Sequence, residues 1–233
     1  MNAVTSLGEK PEFNVNPIAT VTAPQSGHQL EIGTGFTARS FRERAFSGAM
    51  PGDLYWLKAG SGVVHDEAPR AGARTHGLQV FVNLPARMKQ DVPESLRVKA
   101  QDIPLLETDG NRVRVVLGES NGVMAQVSPA LPMTILDGKI AAGYIFTHEL
   151  RGAESGWVYA IEGGIELTVG GEKLRLQTGE SVAITASAGS VAHTIELSNT
   201  AAAEAHFALF AAEPVKEAFV HKGPFVMNNK DEI

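Results

Sequence analysis

The hydrophobic pattern of this chain is one of short apolar runs between turn residues. Residues 1–28 are polar, contain Pro11, Pro17 and Pro24, and read as a loose arm or an edge strand. Beyond them, strand-length runs rich in Val, Ile, Phe and Tyr fall at 54–57, 78–84, 113–117, 157–161, 165–169, 182–184 and 206–211. Few windows hold a helical period for three turns. Gly163-Gly164, Gly170-Gly171 and Asp109-Gly110 are hairpin-turn signals. The segment 95–100 reads as a short helical or loop connection. Many short strands with turns at this spacing predict an all-β sandwich or barrel.

The chain also repeats itself. GDLYWLKAGSGVVH runs from Gly52 to His65, and GESVAITASAGSVAH runs from Gly179 to His193. Each has a glycine, an acid, an apolar strand, then Ala, Gly, Val and His, and the two differ by one inserted residue. A further apolar strand follows each at matching distance, from Gln79 and from His206. Two copies of one β unit are implied, with lobe one near 29–100 and lobe two within 101–233.

Composition narrows the chemistry. A net charge of −6 gives no basic face for direct nucleic-acid binding. There is no cysteine, so thiolate sites and disulfides are excluded, and a metal would need His and carboxylate ligands. No run is apolar and long enough for a membrane span or the core of a signal peptide, so a cytoplasmic location is expected.

PGDLYWLKAGSGVVHDE (51–67), HGLQVFVNLPARMK (76–89) and the final HFALFAAEPVKEAFVHKGPFVMNNKDEI (206–233) resemble the pirin family of bicupins. LGESNGV, PMTILDGKI and GWVYAIEGGIEL, which lie between them, fit as well. The resemblance implies two antiparallel jelly-roll (cupin) lobes packed as a bicupin. It also implies a mononuclear non-haem iron, Fe(2+), in the first lobe, held by three histidines and a glutamate. The activity implied is dioxygenation of flavonols such as quercetin. The alternative is a non-enzymatic regulator that binds transcription factors or metabolic enzymes.

One departure stands out. His65-Asp66-Glu67 supplies the second ligand element, but no His-x-His occurs among the seven histidines, and the sequence passes from TGFTARSF (34–41) almost directly to Pro51. The first lobe therefore reads as incomplete and its metal site as degenerate, with His65 and Glu67 as metal ligands. The resemblance implies that Glu67 also serves as the catalytic base. In a strand, residues two apart share a face, so this pair can meet one ion. His76 and His28 are weaker candidates for a third ligand.

In the second lobe His148, Glu154 and His193 are the plausible counterparts, but position 150 is Leu. His148 reads as a surface or turn residue, His193 as a strand residue with a local partner, and His206 as a satisfied core or edge residue. Trp56 and Trp157 read as core. Arg39, Arg42 and Arg44 read as a solvated strand face. The expected partners are a flavonol-like small molecule and, through exposed strand edges, a protein or second copy of the chain; neither nucleic acid nor membrane is expected as a direct partner.

Overall fold

The computed structural model describes residues 51–62, 75–186, 192–222 and 225–233, together with the strands at 13–18, 28–32 and 36–43. The sequence implies an all-β protein, and strands dominate. The described helical segments are three single 3-10 turns, Ala86–Met88, Ala100–Asp102 and Lys230–Glu232.

The strands, in chain order, begin with β1 (Phe13–Ile18), β2 (His28–Ile32), β3 (Phe36–Glu43), β4 (Leu54–Lys58), β5 (Thr75–Val82) and β6 (Glu94–Val98). Next come β7 (Leu105–Thr108), β8 (Asn111–Leu117), β9 (Glu119–Ser120), β10 (Val123–Met124), β11 (Met133–Ile140), β12 (Ile145–Leu150) and β13 (Ser155–Glu162). The rest are β14 (Ile165–Val169), β15 (Glu172–Leu176), β16 (Ser181–Ala186), β17 (His193–Ser198), β18 (Ala205–Ala212), β19 (Val220–Lys222) and β20 (Phe225–Met227). Segment 95–100 is mostly strand: β6 pairs with β4, Leu54 opposite Val98 and Lys58 opposite Glu94. The alternating apolar positions of the pair, Leu96 opposite Trp56 and Val98 opposite Leu54, favour a strand over the expected connection.

The chain forms two compact units that interleave along the sequence. One contains β1, β7–β10 and β11–β18. The other contains β2–β6, residues 128–131 and the described part of 214–233.

In the first of these units the pairing is nested. β11 pairs with β18, β12 with β17, β13 with β16 and β14 with β15, all antiparallel. Eight successive strands thus form one long hairpin, rolled so that its arms alternate between two sheets, which is the jelly-roll arrangement. The sheets run β1-β16-β13-β18-β11-β8-β7 and β12-β17-β14-β15. The tip of the long hairpin is Gly170-Gly171, with φ of 56° and 84°. Two successive left-handed residues make the tight turn whose twist matches the flanking strands. A Cβ on Gly171 meets nothing within 4 Å, so Gly171→Ala tests backbone strain alone. A thermal melt should report a loss of about 1 kcal/mol. Asp109-Gly110 also closes a hairpin, β7 to β8. Gly163-Gly164 does not: it carries the chain from one sheet to the other, because β13 and β14 take their partners in different sheets.

The interior follows the two-residue period. Phe146 and Leu150 of β12, Ile165, Leu167 and Val169 of β14, Ile195 and Leu197 of β17 and Phe207 and Leu209 of β18 all belong to one buried cluster. Strand β12 lies at an edge of its sheet. Two of its outer carbonyls are taken by side chains: Asn111 Nδ2 donates to Ile145 O at 2.9 Å, and Asn121 Nδ2 donates to Thr147 O at 2.8 Å. The amides occupy acceptors that another strand would otherwise use.

In the other unit β2-β3-β5 form one antiparallel sheet and β4-β6 a second. The repeated segments begin alike: Gly52 and Gly179 have φ of 86° and 85°. The acid after each accepts a backbone N–H: Asp53 Oδ1 from Ala100 at 2.8 Å and Glu180 Oε2 from Gln177 at 2.7 Å.

Candidate functional site

In β12 the order Ile145-Phe-Thr-His-Glu-Leu150 alternates exposed and buried positions, so His148 faces inward between Phe146 and Leu150. It is 4% exposed, and the expected surface or turn position is corrected. The two-residue period of the strand outweighs the polarity of the imidazole. Ser120 of β9 lies beside it, with Oγ 3.0 Å from Nδ1. Burial pulls the imidazole pKa down to about 4, and the charge of Arg151 adds to this. The ring is neutral at pH 7. Its Nε2 is buried without a hydrogen-bond partner.

His193 stands in β17 opposite Leu150, and it shares a strand face with Ile195 and Leu197. Glu154 is turned into its own loop, where Oε2 accepts the Arg151 N–H at 2.8 Å. Burial pushes this carboxyl up, against that hydrogen bond and the Arg151 charge. These three residues do not converge. Among the described residues no three His, Asp or Glu side chains are grouped to hold a metal ion. An iron site needs about three protein ligands, so the second-lobe counterparts do not fit one: His148 is fixed by Ser120, and Glu154 serves its turn.

His206 is bonded, as expected. Its Nε2 lies 2.5 Å from Asp137 Oδ1, while Arg114 donates to Asp137 Oδ2 at 2.8 Å. Burial pushes Asp137 up, but the bonds and charges of His206 and Arg114 outweigh it and hold the carboxyl below its ordinary range. Trp157 is core, stacked on Tyr159 at 5.7 Å. Trp56 is half-buried.

His65 and Glu67, the pair with the strongest claim from sequence, lie outside the described residues, as does Arg44. The backbone places His28 opposite Ser40, and Arg42 opposite His76, across the β2-β3-β5 sheet. Sequence reasoning missed Ser120 as a partner for His148, because nothing in the spacing of 120 and 148 brings β9 beside β12.

Comparison with known proteins places this geometry. Residues 135–233 match the pirin C-terminal cupin domain. Rat pirin is 33% identical over 183 residues, which are 78% of this chain and 61% of the rat protein. A pirin-like protein of Solanum lycopersicum is 30% identical over 234 residues, 95% of this chain and 75% of its own. This chain belongs to the pirin family. It spans about three fifths of the length of the rat pirin it matches. Among solved structures, quercetin 2,3-dioxygenase from Acinetobacter baumannii superposes with a TM-score of 0.69 at 26% identity, covering 94% of this chain and 79% of that one. GK1651 from Geobacillus kaustophilus superposes at 0.68 with 24% identity, covering 88% of this chain and 96% of that one, and shares the fold. Membership of the pirin family thus agrees with the jelly-roll pairing seen in β11–β18. No described helix is long and apolar enough to cross a membrane.

Proposed function

We propose that this pirin-family chain is a cupin of the quercetin 2,3-dioxygenase type, with chemistry centred on His65 and Glu67. The observation that carries the reading is the likeness to the Acinetobacter baumannii enzyme along 94% of this chain. The packed interior of the β11–β18 barrel supports it from the other side: its inward positions are filled by large aliphatic and aromatic side chains. In this reading His65 supplies an imidazole nitrogen to Fe(2+), and Glu67 supplies a carboxylate oxygen and accepts the proton of a flavonol hydroxyl. The substrate is a flavonol-like molecule.

A second reading is favoured by one observation: no His-x-His exists anywhere in the sequence. Two protein ligands hold a divalent ion weakly. In this reading the chain is a non-enzymatic regulatory cupin that docks a protein partner or a second copy of itself. Anaerobic loading with Fe(2+), elemental analysis and a quercetin-consumption assay separate the two. Near-stoichiometric iron and turnover that vanishes in His65→Ala are the results expected of the dioxygenase. Trace iron with quercetin left intact overturns it in favour of the regulator.

A further inference from the structure

Strands β9 and β10 stand apart from both barrel sheets. Among the described residues they pair only with each other, Ser120 opposite Val123 and Glu119 opposite Met124. Asn121 and Gly122 make the two-residue turn between them, with φ of 47° and 80°. The base is closed by Gly118, whose N–H donates to Gln126 O at 3.0 Å and whose carbonyl accepts the Ala125 N–H at 2.8 Å. Segment 118–126 is therefore a complete small hairpin. Its Gly118 end is pressed on β11, since a Cβ there would lie 2.4 Å from Met133 O.

Side chains, rather than a backbone ladder, hold this hairpin against β12 and the residue that follows it. Glu119 Oε2 pairs with Arg151 Nη2 at 2.9 Å, Ser120 Oγ lies 3.0 Å from His148 Nδ1, and Asn121 Nδ2 donates to Thr147 O at 2.8 Å. Two of these three ties lie at the surface: Asn121 is exposed, and the Arg151 side chain keeps 60% of its exposure. Exposed ties of this kind contribute little each. Val123 and Ala125 rest against the barrel core but are only partly buried, and Met124 is 71% exposed. Ser120 and His148, at the centre of the contact, are both buried.

We propose that the hairpin 118–126 is a flap that lifts from β12 while the barrel stays folded, with Gly118 as its fixed end, and that it gates access to His148. An isolated two-stranded hairpin is marginally stable. A segment with little buried apolar surface and solvent-exposed ties opens at a fraction of the cost of global unfolding. The barrel does not depend on it: β12 is held by its own register with β17, from Ile145 opposite Ser198 to Leu150 opposite His193. Lifting Ser120 uncovers the Nδ1 side of the imidazole, and lifting Asn121 uncovers the Thr147 carbonyl in the same movement.

The flap involves neither His65, Glu67 nor iron, so metal-free protein serves for the test, and its failure would leave the dioxygenase reading untouched. Diethyl pyrocarbonate acylates neutral imidazole, the form His148 holds at pH 7. Modification of His148 is followed by peptide mass spectrometry, with the half-buried His221 of β19 as the reference in the same sample. His148 should react slowly, at a rate that hardly changes with urea below the unfolding transition, because lifting the flap exposes little surface. Asn121→Gly removes the bond to Thr147 and keeps a residue at ease with positive φ. Glu119→Ala removes the pair with Arg151. Each should speed the reaction of His148 about threefold, and the two together about tenfold, with the rate at His221 unchanged. The proposal is overturned if the His148 rate climbs with urea in parallel with global unfolding, or if the double variant reacts no faster than the unmodified protein. Should a variant not fold, the urea dependence of the unmodified protein decides the matter alone.

Discussion

Replacing Phe207 by alanine is expected to destabilise the protein by about 4 kcal/mol. Phe207 is fully buried in the centre of β18, and its ring lies 5.4 Å from that of Phe146. The ring sits against Gly138 of β11: a Cβ on that glycine would fall 2.4 Å from the Phe207 ring atoms. Phe207 therefore occupies the space that a side chain at 138 would need, and joins the two sheets of the barrel. Truncation removes the ring contacts and leaves a cavity between strands whose pairing on both sides resists collapse. Urea unfolding followed by circular dichroism should show a lower midpoint with an unchanged slope. A loss below about 1 kcal/mol would mean that the barrel centre is not packed around this ring.

Acid should weaken the same barrel through His148. Its folded pKa is about 4 against an ordinary 6.5. Above pH 6.5 the imidazole is neutral in both folded and unfolded chains, and its contribution is fully present. As pH falls below 6.5 the unfolded chain takes up a proton that the folded barrel refuses. Stability declines until the folded group also titrates near pH 4, and the loss amounts to about 3 kcal/mol. His148→Gln, which keeps a polar group for Ser120 but does not titrate, should flatten that part of the profile. Unfolding free energies of both proteins at pH 7 and pH 4 check this. Asp137 is held below its ordinary value, so its share of the loss falls at lower pH and is common to both proteins. Equal pH dependence in the two would show that His148 is not the group responsible.

Much of the fold was legible where period and turn chemistry agree. The runs at 113–117, 165–169 and 206–211 all lie in strands, and Gly170-Gly171 turns where its two glycines allow it. The differences share a cause. Residue type points His148 outward, whereas its neighbours Phe146 and Leu150 on the same face decide its burial. Local turn preference makes Gly163-Gly164 a hairpin, whereas long-range pairing sends β13 and β14 to different sheets. The surroundings of Lys89 carry no periodic signal, since the carboxylates whose charge acts on it, Glu217 and Glu232, lie well over a hundred residues away in the chain. Such groupings depend on how strands are wound, which spacing does not encode.

The side-chain cover on strand β12 has a consequence for chemical ageing. Asn121 precedes Gly122 in an exposed turn, the dipeptide most prone to spontaneous deamidation. Loss of ammonia turns its amide donor into a carboxylate facing the Thr147 carbonyl, so attraction becomes repulsion between two acceptors. Deamidation therefore frees the Thr147 carbonyl, so an aged molecule carries one more open acceptor on the β12 edge than a fresh one.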